Sequence, residues 1–188
     1  MRVSGGALAG KRVGCPAGII RPAMDKMRES VFAVLGELDG LSFLDLFSGS
    51  GIIALEAASR GAAFVEAVES DPKKRSTLIE NVEGAPVRIN CKFMPVELYI
   101  KRTKLKNFDI VFCDPPFIYK YKEDLLASIA KNGIIREGGL VLLHHPGEEH
   151  FELNGVPLEI LDEREYGRSV VSFYVKRKNE SHTRDNPS

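Results

Sequence analysis

At 188 residues the chain is sized for one domain, long enough to bury about 70% of the surface its unfolded form would expose. Hydrophobic residues make up 44% and charged ones 28%; with that ordinary globular usage and no apolar run near the ~20 residues of a membrane span, membrane-embedded and disordered classes are excluded. The 26 basic and 26 acidic residues cancel, which excludes a uniformly basic, indiscriminate polyanion binder.

The elements follow in order. Residues 1–22 are rich in Gly and Pro and read as a short hairpin or arm. Ahead of Glu29 stand Arg2, Lys11, Arg12, Arg21, Lys26 and Arg28 against the single acid Asp25, a basic segment that suits a polyanion partner. Met27, Val31 and Leu35 mark a helix that ends near Gly40. Residues 41–47 are the first core strand, a Ser-Gly-Ser-Gly turn follows, and residues 52–60 form a helix closed by Gly61. A second strand runs over 64–68 to Glu69, and Asp71-Pro72 opens a helix to about Val82. A short third strand is predicted over 87–91, a helix over 96–102 and a fourth strand over 108–113. Beyond them come a helix over 121–131 and a buried fifth strand over 140–144.

The last two runs, 157–165 and 169–176, are joined by only Tyr166-Gly167-Arg168, which demands antiparallel pairing. The fold class is therefore α/β: a Rossmann-like, seven-stranded, mostly parallel sheet with an antiparallel last strand. A single domain over 1–176 is expected, with 1–40 as arm and helix, 41–176 as core and 177–188 as a disordered tail without apolar anchor. The start has no apolar signal-type run, and Cys15, Cys91 and Cys113 are odd in number and far apart, which fits a reducing cytoplasm. Four scattered His and no C-x-x-C pair give no metal-ligand spacing, and Cys113 reads as core filling.

Two motifs carry the chemistry. Asp114-Pro115-Pro116-Phe117 follows an apolar strand. A carboxylate there accepts hydrogen bonds from an exocyclic amine, two prolines leave the surrounding carbonyls free as acceptors, and the phenyl ring can stack on a base. Some sixty residues earlier stands Asp45-Leu46-Phe47-Ser48-Gly49-Ser50-Gly51. Its continuation to Ala54 also satisfies the dinucleotide pattern, with Glu69 at the ribose-binding distance, so a nicotinamide enzyme competes. A carboxylate just before the glycine loop suits the ammonium of a methionine moiety, and the Asp-Pro-Pro-Phe turn has no use in hydride transfer. Together the motifs point to a methyltransferase of exocyclic amines that uses S-adenosylmethionine.

The chain resembles the RsmD family, bacterial methyltransferases of guanine N2 in 16S ribosomal RNA, over nearly its whole length. The resemblance lies in Ser4-Gly5-Gly6, Gly10-Lys11-Arg12, Arg21-Pro22 and the block Asp25-Lys26-Met27-Arg28-Glu29-Ser30-Val31-Phe32. It continues through the glycine loop, Leu55-Glu56-Ala57, Ser59-Arg60-Gly61-Ala62 and Asp114-Pro115-Pro116-Phe117. Ala23 in place of the usual Thr, and Lys92-Phe93 after the third strand, depart from it. The resemblance implies a cofactor site of Asp45, Phe47, Ser48, Gly49, Gly51, Glu69 and Ser70. It also implies a target-base site of Asp114, Pro115, Pro116 and Phe117, and RNA contacts at Lys11, Arg12, Arg21, Arg28 and Arg168. The implied partner is 16S rRNA or the small ribosomal subunit, approached by a cytoplasmic monomer without membrane or metal. Methylation of adenine N6 or cytosine N4, and an inactive RNA-binding assembly factor, remain open alternatives. His144 and His145, which follow the fifth strand, could line the pocket but read rather as core or turn filling.

Overall fold

The structure, a computed structural model, describes residues 1–15 and 22–178, apart from the side chains of Pro22 and Ala23. Arg21, assigned an RNA contact, and residues 179–188 of the tail expected over 177–188 lie outside the described residues; Arg177 of that tail is held to the body, its amide donating to the Pro157 carbonyl and its guanidinium to Glu159, both at 3.0 Å. Seven strands form one sheet in the order β3-β2-β1-β4-β5-β7-β6. The strands are β1 (Ser42–Leu46), β2 (Phe64–Glu69), β3 (Ile89–Phe93), β4 (Phe108–Cys113), β5 (Ile135–Pro146), β6 (Leu158–Tyr166) and β7 (Ser169–Lys176). The first five pair in parallel, and β7 lies antiparallel between β5 and β6. Helices α1 (Pro22–Leu35), α2 (Ile52–Ser59), α3 (Arg75–Val82), α4 (Val96–Arg102) and α5 (Lys122–Lys131) supply the rest. Met27, Val31 and Phe32 of α1 pack with the side chains of α2 in one core layer, while Val96, Tyr99 and Ile100 of α4 join Leu125, Leu126 and Ile129 of α5 in the other. No helix among the described residues is long and apolar enough to cross a membrane.

Four elements differ from the sequence reading by more than one residue, each for a local reason. Helix α1 stops at Leu35 rather than near Gly40, because Gly36 takes φ 71° and donates its N–H to the Phe32 carbonyl at 3.0 Å. After Asp71, which accepts from the Lys73 amide at 2.9 Å, Pro72–Lys74 form a 3-10 turn before α3 begins. Strand β3 runs two residues later than expected, since its register with β2 pairs Val65 with Ile89 and Glu69 with Phe93. Lys92 and Phe93 are therefore strand residues. Strand β5 continues through Gly138 and Gly139, where the register with β4 shifts between Phe108 and Ile110 and Gly138 takes φ 70°.

The N-terminal segment is a hairpin as expected, and it is docked on the body. Its strands bridge at Arg2 and Arg12, and the Val3 amide donates to the Lys11 carbonyl at 3.0 Å. Val3 and Val13 are buried in the core. At Gly6, φ 73°, an added Cβ would lie 1.9 Å from the Ser59 carbonyl oxygen, so only glycine permits this approach to α2. The Ser4 amide donates to Glu56 Oε1 at 2.7 Å and the Leu8 amide to Ser59 Oγ at 2.8 Å.

Candidate active site

Strands β1, β2, β3 and β4 run parallel, so their carboxyl ends open on one edge of the sheet, where α/β proteins of this kind place ligands. The chain leaves β1 through Phe47, whose φ of 63° is unusual for a residue with a Cβ and marks local backbone strain. The Ser48 amide donates to the Val68 carbonyl at 2.9 Å and the Gly51 amide to the Ser48 carbonyl at 2.8 Å, closing the loop. Gly51, at φ 80°, presses on α3: a Cβ there would meet Val82 Cγ1 at 3.1 Å.

Asp45 sits beneath this loop with 1% of its surface exposed. Its Oδ2 accepts from Ser48 Oγ at 2.5 Å and from the Ala54 amide at 3.2 Å, so it caps α2 and braces the turn at once. Oδ1 is buried and has no hydrogen-bond partner among the described residues. Burial pushes the pKa of this carboxyl up to about 7, and the charges of Asp114 and Glu69 add to the rise, against the pull of the Ser48 and Ala54 hydrogen bonds. A buried acceptor of this kind suits a cationic donor brought by a ligand. Glu69, at the end of β2, accepts from the Gly49 amide through Oε2 and from the Asp71 amide through Oε1, both at 2.7 Å, with Lys74 Nζ at 3.6 Å from Oε2. Ser70 follows, exposed. Phe93 ends the adjacent strand with the Arg75 guanidinium 4.6 Å from its ring centroid.

The second half of the site adjoins the first. The Asp114 amide donates to the Leu46 carbonyl at 3.2 Å, and the rings of Phe47 and Tyr119 meet edge-on at 5.3 Å. Pro115 is buried, while Pro116 and Phe117 are exposed, Phe117 at 39%. Two residues that the sequence did not place in the site hold this turn. Lys122 is 2% exposed, and its ammonium donates to the carbonyls of Phe117 at 3.1 Å and Tyr119 at 2.6 Å and to Glu149 Oε1 at 3.0 Å. His144 Nδ1 lies 2.8 Å from Asp114 Oδ1, and its ring meets Phe117 edge-on at 5.3 Å. That corrects the reading of His144 as filler, whereas His145 does bond within the core. His144 stands beside Asp114 because Cys113 pairs with Leu143, which sets the next residues side by side, a register that belongs to the fold and not to either sequence run. Nothing in the sequence distinguishes Lys122 from a solvated helix residue. Cys113 is fully buried and its thiol is pushed up by burial, as a core residue.

The expected RNA contacts divide. Arg12 is exposed on the hairpin and Arg168 on the two-residue turn between β6 and β7, beside Gly147 at the carboxyl end of β5. Lys11 is half-buried and donates to the carbonyl of Glu83 at 2.8 Å. Arg28 is a correction. It is 3% exposed and its guanidinium is spent on Glu56 at 2.9 Å, Asp25 at 2.6 Å and the Arg2 carbonyl at 2.8 Å, so it is not available to a phosphate. Glu56, fully buried, also binds Arg60.

Residues 1–175 match the family model described as Conserved hypothetical protein 95. The chain is a member of this RsmD-like family. Among RsmD-like relatives, YlbH of Bacillus subtilis is 30% identical over 183 residues, spanning 94% of this chain and all of that one. The protein named Ribosomal RNA small subunit methyltransferase D from Escherichia coli is 31% identical over 163 residues, with 84% of this chain and 78% of the relative covered. The solved structure of yhhF from Escherichia coli superposes with a TM-score of 0.83 at 26% identity, covering 94% and 98% of the two chains. The block Asp25 to Phe32 includes, in Arg28, a buried tie between α1, the hairpin and α2.

Proposed function

We propose that this protein transfers the methyl group of S-adenosylmethionine to the exocyclic N2 of a guanine in 16S ribosomal RNA. The observation that carries the reading is the junction of the two loops, in which the Asp114 amide donates to the Leu46 carbonyl and the glycine loop begins one residue further on. A methyl donor held by one loop then lies beside an amine held by the other. The name of the Escherichia coli relative, a small-subunit ribosomal RNA methyltransferase, supports the substrate class.

S-adenosylmethionine, when bound, supplies an electrophilic methyl on a sulfonium centre. Asp45 Oδ1 would receive the ammonium of its methionine end, and Glu69 would receive the ribose hydroxyls through lone pairs left beside the Gly49 and Asp71 amides. Phe93, paired with Glu69, would offer its ring to the adenine. Asp114 and the Pro115 carbonyl accept the two hydrogens of the guanine amine, which aims its lone pair along the displacement line, and Phe117 stacks on the base. The Asp114 carboxylate also stabilises the positive charge that develops on N2. No general base is needed before transfer. Exposing a base from ribosomal RNA costs a few kcal/mol; Lys11, Arg12, Arg21 and Arg168 are assigned the phosphate contacts that offset it.

The test is transfer of labelled methyl to small ribosomal subunits that lack the modification, read by nucleoside mass spectrometry. N2-methylguanosine at a single site is the expected product. Label in adenine or cytosine moves the protein to another class of amino-methyltransferase, and no label despite tight cofactor binding makes it an assembly factor.

A further inference from the structure

We propose that His144 is a positioning residue for the transfer step: its Nδ1–H holds the Asp114 carboxylate in the rotamer that receives the target amine. The inference rests on the reading of Asp114 as the base contact. His144 and His145 are neighbours on β5 and therefore point to opposite faces of the sheet. His145 has both ring nitrogens satisfied, at 2.8 Å from the Pro146 carbonyl and 2.8 Å from Ser172 Oγ, and Ser172 passes on to Glu163 at 2.8 Å. That is how a histidine buried for packing behaves. His144 is as deeply buried, at 3%, yet its Nε2 has no partner among the described residues, and its one hydrogen bond goes to Asp114.

A carboxylate only accepts, so Nδ1 carries the hydrogen and the tautomer is set. The bond occupies Oδ1 and leaves Oδ2 for the substrate. It is the sole hydrogen bond of the Asp114 side chain among the described residues, and the imidazole ring meets the Phe117 ring with centroids 5.3 Å apart. One ring thus touches both groups proposed to hold the base. A misplacement of about 1 Å in such a group costs on the order of a hundredfold in rate, so a residue that fixes it acts on kcat.

The experiment compares His144→Asn, His144→Gln and His144→Phe, scoring label in RNA whichever base receives it. In His144→Asn the amide nitrogen stands where Nδ1 stood, and most of the wild-type kcat is expected. His144→Gln and His144→Phe are expected to lose about ten- to a hundredfold in kcat with unchanged KM for S-adenosylmethionine. Equal losses in the Asn and Gln variants, or normal turnover in His144→Phe, overturn the proposal; should the Phe variant not fold, the Asn and Gln pair decides. On an Asp114→Ala background His144→Phe should add nothing. Normal turnover in Asp114→Ala alone would instead sink the reading of Asp114. Independently of activity, ¹⁵N resonances of the imidazole should identify Nδ1 as the protonated nitrogen, and a hydrogen on Nε2 alone overturns the proposal.

Discussion

Removing Glu56 should detach the N-terminal hairpin. Its carboxylate, at 0% exposure, receives the Ser4 amide and Arg28 Nε through Oε1 and the Arg60 guanidinium through Oε2. In Glu56→Ala, Arg60 can swing to water, because its side chain is already 13% exposed, but Arg28 at 4% cannot. Breaking one partner from a buried pair costs about 3–5 kcal/mol. Asp25, which still holds Arg28 at 2.6 Å, is 34% exposed and compensates in part, which places the loss near the lower end, about 3 kcal/mol. For a domain of this size that is roughly 6–12 °C in Tm. Urea unfolding gives the global figure, and amide exchange locates it: Ser4 and Leu8, which donate to Glu56 and Ser59, should lose protection before the sheet does. A loss under about 1 kcal/mol with both amides still protected would refute the argument that this network holds the hairpin.

Three further outcomes follow from the site. Asp45 has a folded-state pKa of about 7 against an ordinary 3.8; an acid raised on folding binds more protons in the native state, so its penalty is absent below the ordinary carboxylate range, grows as pH rises towards 7 and is complete above it. Asp45→Asn should therefore raise the Tm of the ligand-free protein more at pH 8 than at pH 5, while calorimetry finds cofactor affinity reduced and no longer rising with pH through about 7; a lower Tm at pH 8 counts against it. Gly51→Ala places a Cβ at φ 80° and 3.1 Å from Val82 Cγ1, with an expected cost of about 1–3 kcal/mol and weaker cofactor binding; an unchanged denaturation midpoint would show that the loop can give. Lys122→Met strips the donor from the Phe117 and Tyr119 carbonyls, for about 1–3 kcal/mol, and should open the 117–121 turn to chymotrypsin and raise KM for RNA. Unaltered cleavage and KM would make Lys122 dispensable to the turn.

The repeating strands and helices were legible because each buried strand reads as an apolar run closed by Gly, Pro or Asp, and the short link before Ser169 allowed only antiparallel pairing of β6 with β7. Where pairing rather than composition sets the limits, the sequence misled. Ile89–Phe93 is a strand because β2 offers partners there, and Gly138-Gly139 looks like a break but is a bulge within β5. The glycine loop and Asp-Pro-Pro-Phe were visible because each keeps its chemistry in one short run. His144 and Lys122 serve the same turn from other elements, and a linear reading cannot see a partner 30 residues away. Arg28 failed in the opposite sense. A basic residue in a basic segment looks like a phosphate contact, and only Glu56, from another helix, shows it to be internal.

The docked hairpin also orders events during synthesis. It leaves the ribosome before its partners, which are separated from it by 52 residues at Glu56, 51 at Ser59 and 67 at Asn81. Closing a chain over such spans brings no compensating contact until the far end exists. Asn81 then binds Gly14 through both its amide oxygen and nitrogen and the Ser50 carbonyl through the same nitrogen, at 2.8, 2.9 and 2.9 Å. The hairpin is thereby seated only when α3 and the glycine loop are both in place, and this early stretch of the nascent chain becomes a late witness that β1 and β2 have been assembled.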